Sequence, residues 1–398
     1  MVRKAWVKKS ISELADIQSG GTPSTINEEY WNGEIRWCTP SDITKNKGIY
    51  LEDTERRITE SGVENSSAIL LPIGTILLCT RATIGEMAIA STPMCTNQGF
   101  KNLIPREGVD SLFLYYILHT VKKEMIENAY GSTFLELSKK SLESICVMMP
   151  DDEAEQRKIS TALYEIDKLI NTLEKEIEKK RSIKYEIMEL YLTGKKRLGE
   201  FKSEWIETTL GDIADIKDGT HQTPHYVEGG IPFYSVETVT TDDFRHVKRI
   251  SLEEHKELTS SYKIEKGDVL MTRIGTLGKC KYIDWDVDAS FYVSLALLKF
   301  RGNTELARFI VYLSELKQFV KEVELHSLQY AIPMKINLGA IEDIRVRIPS
   351  DIEEIRAINN VLFDIENTLL SIELKKRKLT QIKAGMMSDL LTGKIRLV

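Results

Sequence analysis

The chain has 398 residues, 42% hydrophobic and 29% charged, with a formal net charge of −6. Such proportions fit a soluble globular protein of two or more domains, and no apolar run reaches the roughly 20 residues that span a bilayer. The opening Met1-Val2-Arg3-Lys4-Ala5-Trp6 lacks a signal peptide's apolar core, and five cysteines without a C-x-x-C argue against a disulfide framework or zinc site, so a cytoplasmic location is expected.

The N-terminal region, 1–150, opens with Gly20-Gly21-Thr22-Pro23-Ser24, followed by Ile35-Arg36-Trp37-Cys38-Thr39-Pro40-Ser41. A Gly-Thr-Pro loop leads into an aromatic strand that ends in hydroxyls. Thr22, Ser24, Thr39 and Ser41 can bond to bases and phosphates from such a place. The alternative is a turn that packs the domain, with Trp37 as core. An apolar strand over 73–80 then delivers Thr80-Arg81-Ala82-Thr83-Ile84-Gly85. Arg81 at the strand end either grips a guanine edge or a phosphate in bidentate fashion or pairs with a carboxylate of its own domain, and Thr83 sits beside it. Asn97-Gln98-Gly99-Phe100-Lys101 offers amides suited to adenine and a lysine, or is simply a turn centred on Gly99. A helical stretch is expected over 111–128.

Residues 151–198 read as a connector. Ile159, Leu163, Ile166, Ile170, Leu173 and Ile177 step by alternating four and three, the seam of a coiled coil. Asp152 with Glu155 three residues on resembles a capping box, and Gly194 stands where a left-handed residue would close the helix. The expected helix, 153–192, is about 60 Å long at 1.5 Å per residue.

From residue 199 the pattern begins again. Trp6 returns as Trp205, Pro150 as Pro349, and Leu192-Thr193-Gly194-Lys195 as Leu391-Thr392-Gly393-Lys394, each 199 residues later, which is half the chain. This is a duplicated domain with its connector, since solenoid repeats run only about 20–50 residues. The second region, 199–349, opens with Asp218-Gly219-Thr220-His221-Gln222-Thr223-Pro224-His225, then Ile231-Pro232-Phe233-Tyr234-Ser235. Thr220, His221, Gln222, Thr223, Tyr234 and Ser235 are the matching candidates for contact with bases and phosphates. A strand over 266–272 leads to Thr272-Arg273-Ile274-Gly275-Thr276-Leu277-Gly278-Lys279, which answers Thr80-Arg81 and adds Arg273, Thr276 and Lys279. A further strand is expected over 292–300 and helix over 305–324. The second connector, 350–398, carries Ile358, Leu362, Ile365, Leu369 and Ile372 in its stripe. Neither stripe has a partner within its own repeat, so the two helices are expected to pair, antiparallel about an internal two-fold axis, bringing Val398 near Met1. The expected class is α+β. Connector lengths are identical while the globular regions drift in offset, so the unit divides into a ruler and a variable reader.

Chemistry of its own is hard to place in this chain. His221 and His225 lie in a Pro- and Gly-bounded loop without a third ligand, so no metal is expected. Gly275 to Cys280 lacks the first glycine and the Ser/Thr of a phosphate loop. No nucleophile–base pair stands out. Lys+Arg against Asp+Glu is 16 to 18, 11 to 12, 19 to 23 and 8 to 7 over 1–150, 151–200, 201–350 and 351–398, so no segment is a cationic tail. Nucleic-acid binding would rely on local patches or on phosphate contacts shared with a partner.

Taken together, the Gly-Gly-Thr-Pro-Ser and Asp-Gly-Thr-His-x-Thr-Pro openings, Thr-Arg-x-Thr-x-Gly, Asn-Gln-Gly-Phe, the Glu155-Gln156-Arg157 helix start and the Leu-Thr-Gly-Lys helix ends resemble the specificity subunits of Type I restriction-modification systems. The second copy departs from the pattern at Ser290-Phe291-Tyr292 and at Ile355, which replaces the glutamine. The resemblance implies two target-recognition domains, 1–150 and 199–349, each reading half of a bipartite double-stranded DNA site. It implies paired spacer helices that bind two modification subunits, and restriction subunits that join them. S-adenosylmethionine, ATP and Mg would belong to those partners, and this chain would hold no catalytic residue or cofactor. The competing readings are a specificity subunit of a related bipartite-site methyltransferase-nuclease, a DNA-free coiled-coil adaptor, and an enzyme with an unrecognised site.

Overall fold

A computed structural model describes residues 6–131, 135–328 and 330–397. The chain is α+β and divides into two compact units, one of residues 1–176 with 372–398 and the other of 177–371. Each unit therefore takes one globular region, the adjoining half of the helix that follows it, and the far half of the other long helix.

In the first unit, Trp6–Ser10 pairs antiparallel with Cys146–Pro150 and ties the two ends of the globular region together. Between them lie a five-stranded sheet, in the order Ala15–Ser19, Phe100–Pro105, Ile76–Cys79, Met87–Ala90, Tyr50–Leu51, and a three-stranded sheet, Arg56–Ile58, Trp31–Cys38, Met94–Thr96. The second unit repeats this plan. Trp205–Thr209 pairs with Arg345–Pro349. Its sheets run Asp215–Asp218, Leu295–Lys299, Val269–Thr272, Cys280–Tyr282 and Lys248–Ile250, Tyr226–Tyr234, Ser290–Phe291.

The single helical stretches expected over 111–128 and 305–324 are each two helices. Ser111–Thr120 is followed by Lys122–Glu127, and Thr304–Ser314 by Lys317–Leu325. Asp110 and Asn303 cap the first of each pair by accepting from Phe113 N and Leu306 N, as short polar side chains do at helix starts.

The connector helices span Glu153–Tyr191 and Ile352–Leu390, 39 residues each. Within the first unit, Asp167 meets Lys383 and Glu174 meets Lys376, so one residue number rises as the other falls and the helices run antiparallel. In the second unit Lys184 meets Glu366 in the same sense. The apolar stripe serves two purposes along its length. Ile159 and Leu163 are fully buried among Phe113, Leu114 and Ile117 of the first globular region, and Ile358 and Leu362 among Phe309, Ile310 and Leu313 of the second. Further along, Leu173 and Leu369 are buried and Ile166, Ile170, Ile365 and Ile372 are half-buried. The stripe is thus a seam towards the middle of each helix and a domain anchor at its start.

Gly194 and Gly393 take φ of +69° and +72°, the left-handed close expected of them. Each is also pressed by an aromatic ring. A Cβ on Gly393 would lie 3.0 Å from the Trp6 ring, and one on Gly194 3.2 Å from Trp205. The capping-box reading of Glu155 needs correction, because its carboxylate is engaged elsewhere. It accepts from Nε and Nη2 of Arg396 and from the Trp6 indole N–H. Its counterpart Glu354, with a fully buried side chain, is held by Nε and Nη2 of Arg197. Met1 and Val398, which were expected to approach each other, lie outside the described residues.

Candidate nucleic-acid interface

In both units the sheet's strand ends, the Gly-Thr loop and the neighbouring turn converge. In the first unit Trp37 is 3% exposed and donates its indole N–H to Gly21 O at 2.9 Å, which fixes the loop to the aromatic strand. Trp31 stands edge-on to it at 5.0 Å and donates to Ser24 O, with the Arg56 guanidinium 3.8 Å above the Trp31 ring. Gly20 has no room for a side chain, because a Cβ there would fall 1.9 Å from Asn97 O. Thr22 and Gln98 share a hydrogen bond across this junction. The Asn97 side chain turns back to accept from Gly99 N at 2.8 Å, so its carbonyl is committed to the turn. Thr39 bonds to Ser41 at 2.9 Å and to Asp42 at 2.7 Å in a helix-capping arrangement. Ser24, Ser41 and Gln98 are exposed.

Arg81 is half-buried at the strand end and pairs with Glu136 at 2.8 Å, and Lys101 approaches the same carboxylate at 3.8 Å. Lys101 is 8% exposed, and burial pushes its ammonium below the usual lysine range while Glu136 opposes that shift. Thr83 is half-buried in the turn beyond Arg81.

In the second unit Asp218 is the organising residue. One carboxylate oxygen accepts from Arg273 Nη1 at 3.0 Å and from Gly219 N at 2.9 Å, and the other meets His221 Nε2 at 2.8 Å. Tyr262 donates to the Asp218 carbonyl at 2.6 Å. A Cβ on Gly219 would lie 2.4 Å from the Tyr292 backbone, so this glycine, like Gly20, permits the loop to lie on the neighbouring strand. Thr220 is half-buried and accepts from Gln222 N. His221, Gln222, Thr223 and Thr276 are exposed. Tyr234 is 3% exposed in an apolar cluster with Val239 and Phe291, and Ser235 N donates to Thr238. Lys279 is exposed, and its ammonium donates to Thr240 O at 2.7 Å.

The backbone corrects the pairing of the two arginines. Gly85 N bonds to Cys79 O as Gly278 N bonds to Thr272 O, and Thr80 N bonds to Gly99 O as Arg273 N bonds to Ser294 O. Arg273 therefore answers Thr80, and Arg81 answers Ile274. Since successive strand residues face opposite ways, Arg273 turns inward with 8% exposure while Arg81 turns outward. Sequence similarity aligned the two Thr-Arg pairs one residue out of register. Glu136 and Asp218, the counter-ions that organise each cluster, were not among the sequence candidates. Asp218, directly before Gly219-Thr220-His221, was visible as a carboxylate beside three donors.

Among the described residues no group of three His, Cys, Asp or Glu is placed to hold a metal ion, and no helix is long and apolar enough to cross a membrane.

The family model for the Type I restriction modification DNA specificity domain matches the chain twice, over residues 3–180 and 202–384. The chain belongs to the Type I specificity family. Each match takes in one globular region and most of the helix after it. The MjaIX specificity subunit of Methanocaldococcus jannaschii is 35% identical over 278 residues, 64% of either chain. The MjaVIII specificity subunit of the same organism is 24% identical over 99% of this chain and 94% of its own. The crystal structure of a Type I restriction-modification S subunit from M. genitalium superposes with a TM-score of 0.65 at 18% identity, covering 98% of this chain and 97% of that one. A chain from a structural study of complex assembly and conformational transition of the Type I system superposes with a TM-score of 0.57 at 15% identity, covering 98% of each chain. The fold is therefore that of the Type I specificity subunits. These relatives are specificity subunits of Type I restriction enzymes.

Proposed function

We propose that this chain is the sequence-recognition subunit of a Type I restriction-modification complex, each globular region reading one half of a bipartite DNA site. The carrying observation is that both units place the same three segments together, a Gly-Thr loop, an aromatic strand and a strand-end turn, with exposed hydroxyl, amide or imidazole groups around that junction. The N-terminal region takes the 5′ half. Ser24, Ser41 and Gln98 in the first unit, and His221, Gln222, Thr223 and Thr276 in the second, are the groups left outward to meet base edges and phosphates. Arg81 and Arg273 are both matched by carboxylates, so much of the phosphate grip falls to partner subunits. That division of labour suits a chain of net charge −6.

In this reading the long helices set the distance between half-sites and dock two modification subunits, which methylate adenine with S-adenosylmethionine. Restriction subunits using ATP and Mg join that core, and this chain performs no chemistry. Methylome sequencing of cells carrying the chain with its modification subunit tests the proposal. The expected result is one bipartite motif with a fixed spacer. A continuous motif, or modification unaffected by removal of this chain, overturns it.

A further inference from the structure

Two clusters outside the candidate interface have matching construction although the residues around them differ. In the first unit the Tyr116 hydroxyl donates to Asp167 at 2.7 Å, the other Asp167 oxygen meets Lys383 at 2.6 Å, and the Lys383 ammonium lies 5.9 Å from the Tyr116 ring centre. In the second unit the Tyr312 hydroxyl donates to Glu366 at 2.9 Å, the other Glu366 oxygen meets Lys184 at 2.8 Å, and the Lys184 ammonium lies 5.7 Å from the Tyr312 ring centre. Lys184 has a second carboxylate partner in Glu315, at 3.2 Å. Asp167 and Glu366 are 199 residues apart, as are Lys184 and Lys383. Each cluster thus joins three elements: a recognition-region helix, the connector helix that follows that region, and the antiparallel partner helix.

An Ile/Leu stripe stepping by fours and threes tolerates slippage by a heptad, because the slipped pair presents the same apolar groups to each other. A polar group at one place in such a seam specifies register at some cost in stability. One slipped heptad displaces a helix by roughly 10 Å, about three base pairs at 3.4 Å each. The carboxylate also ties the recognition region, through tyrosine, to the same helical turn that carries the lysine contact. Both lysines are substantially buried, with side chains 16% and 27% exposed, so these pairs are not freely solvated.

We infer that Asp167, Glu366, Lys184 and Lys383, with Tyr116 and Tyr312, are positioning residues that lock helix register and thereby hold the half-site spacer to a single length. The inference rests on the bipartite reading above. Its test is the distribution of spacer lengths in methylomes made by the full complex, because a purely stabilising role would change the amount of modification and leave the spacer alone. Joint Asp167→Asn and Glu366→Gln substitution is expected to raise the fraction of modified sites with an altered spacer at least tenfold. Exchanging charges, Asp167→Lys with Lys383→Asp and Glu366→Lys with Lys184→Glu, is expected to return it towards a single length. Tyr116→Phe with Tyr312→Phe, a milder change, is expected to broaden the spacer to a smaller degree and covers the case in which the first variant does not assemble. An unchanged single spacer in a soluble complex of either neutralised or phenylalanine variant overturns the inference. A wild-type complex without a bipartite motif would instead bring down the underlying reading, and this inference with it.

Discussion

His119 shows how a single group couples a recognition region to its helices. It lies on Ser111–Thr120, half-buried, with Tyr115 edge-on at 4.7 Å. Burial lowers its pKa to about 4, the ammonium groups of Lys383 and Lys122 add to that shift, and Glu86 and Asp167 oppose it. The unfolded value is near 6.5. With the folded pKa depressed, the unfolded chain binds more protons between these values. The contribution of neutral His119 is therefore fully present above about pH 6.5 and is lost as the pH falls towards 4. Urea unfolding of the first unit is expected to show a lower midpoint at pH 5 than at pH 7, and His119→Gln is expected to shrink that difference. An undiminished pH difference in the variant would exclude His119 as its source. The candidate interface obeys a related rule: inward charges such as Lys101 and Arg273 have carboxylate partners, and the outward-facing groups are mostly uncharged.

At the level of elements, the connectors were the most legible part of the sequence. The 4-3 stripe and the terminal glycine put the first helix at 153–192, within a residue of Glu153–Tyr191, and the same stripe 199 residues on marks Ile352–Leu390. Periodicity reports burial without naming the partner, so it did not distinguish Ile159, which packs into the globular core, from Leu173 in the seam. The break after Thr120 was hidden for a similar reason, since the apolar pattern runs through Val121 without a proline or glycine. In the candidate interface, residue types placed the loops, but the one-residue shift between Arg81 and Arg273 required the strand pairing. The interval from Asp167 to Lys184 equals that from Glu366 to Lys383, 17 residues in each helix. Lengthening one connector alone breaks that match. Four residues inserted within 168–183 only are therefore expected to abolish methylation. The same insertion made in both connectors, within 168–183 and 367–382, adds about 6 Å and is expected to shift the spacer by one to two base pairs of about 3.4 Å each. Spacer length in the methylome decides between these outcomes, and an unchanged spacer in the doubly lengthened chain defeats the ruler idea.

At the level of the whole molecule, the 199-residue repeat separates what must be kept from what is free to change. The kept contacts recur at that offset in each unit: Trp6 on Gly393 and Trp205 on Gly194, Glu155 with Arg396 and Glu354 with Arg197. They lie where a globular region meets the helices, and all but Trp205 on Gly194 are closed by residues remote in sequence. The strand-end loops depart from the offset and differ in chemistry, Thr22 and Gln98 in one unit against Asp218 and His221 in the other. Exchange of residues 1–150 for a related region is therefore expected to succeed only when the incoming region keeps the residues that touch the helices. Those that do so through polar groups include Trp6, which reaches Glu155; Asp110, whose carboxylate accepts from Ser160; and Tyr116, which reaches Asp167. With those three retained, methylome sequencing should show a new 5′ half-site, an unchanged 3′ half-site and the original spacer. With Asp110 and Tyr116 both replaced by alanine in the incoming region, modification should fall or the spacer should broaden, even though every base-reading loop is intact. A change in both half-sites after a contact-preserving exchange would falsify the modular reading, because it would mean that the loops of one unit are shaped by the other.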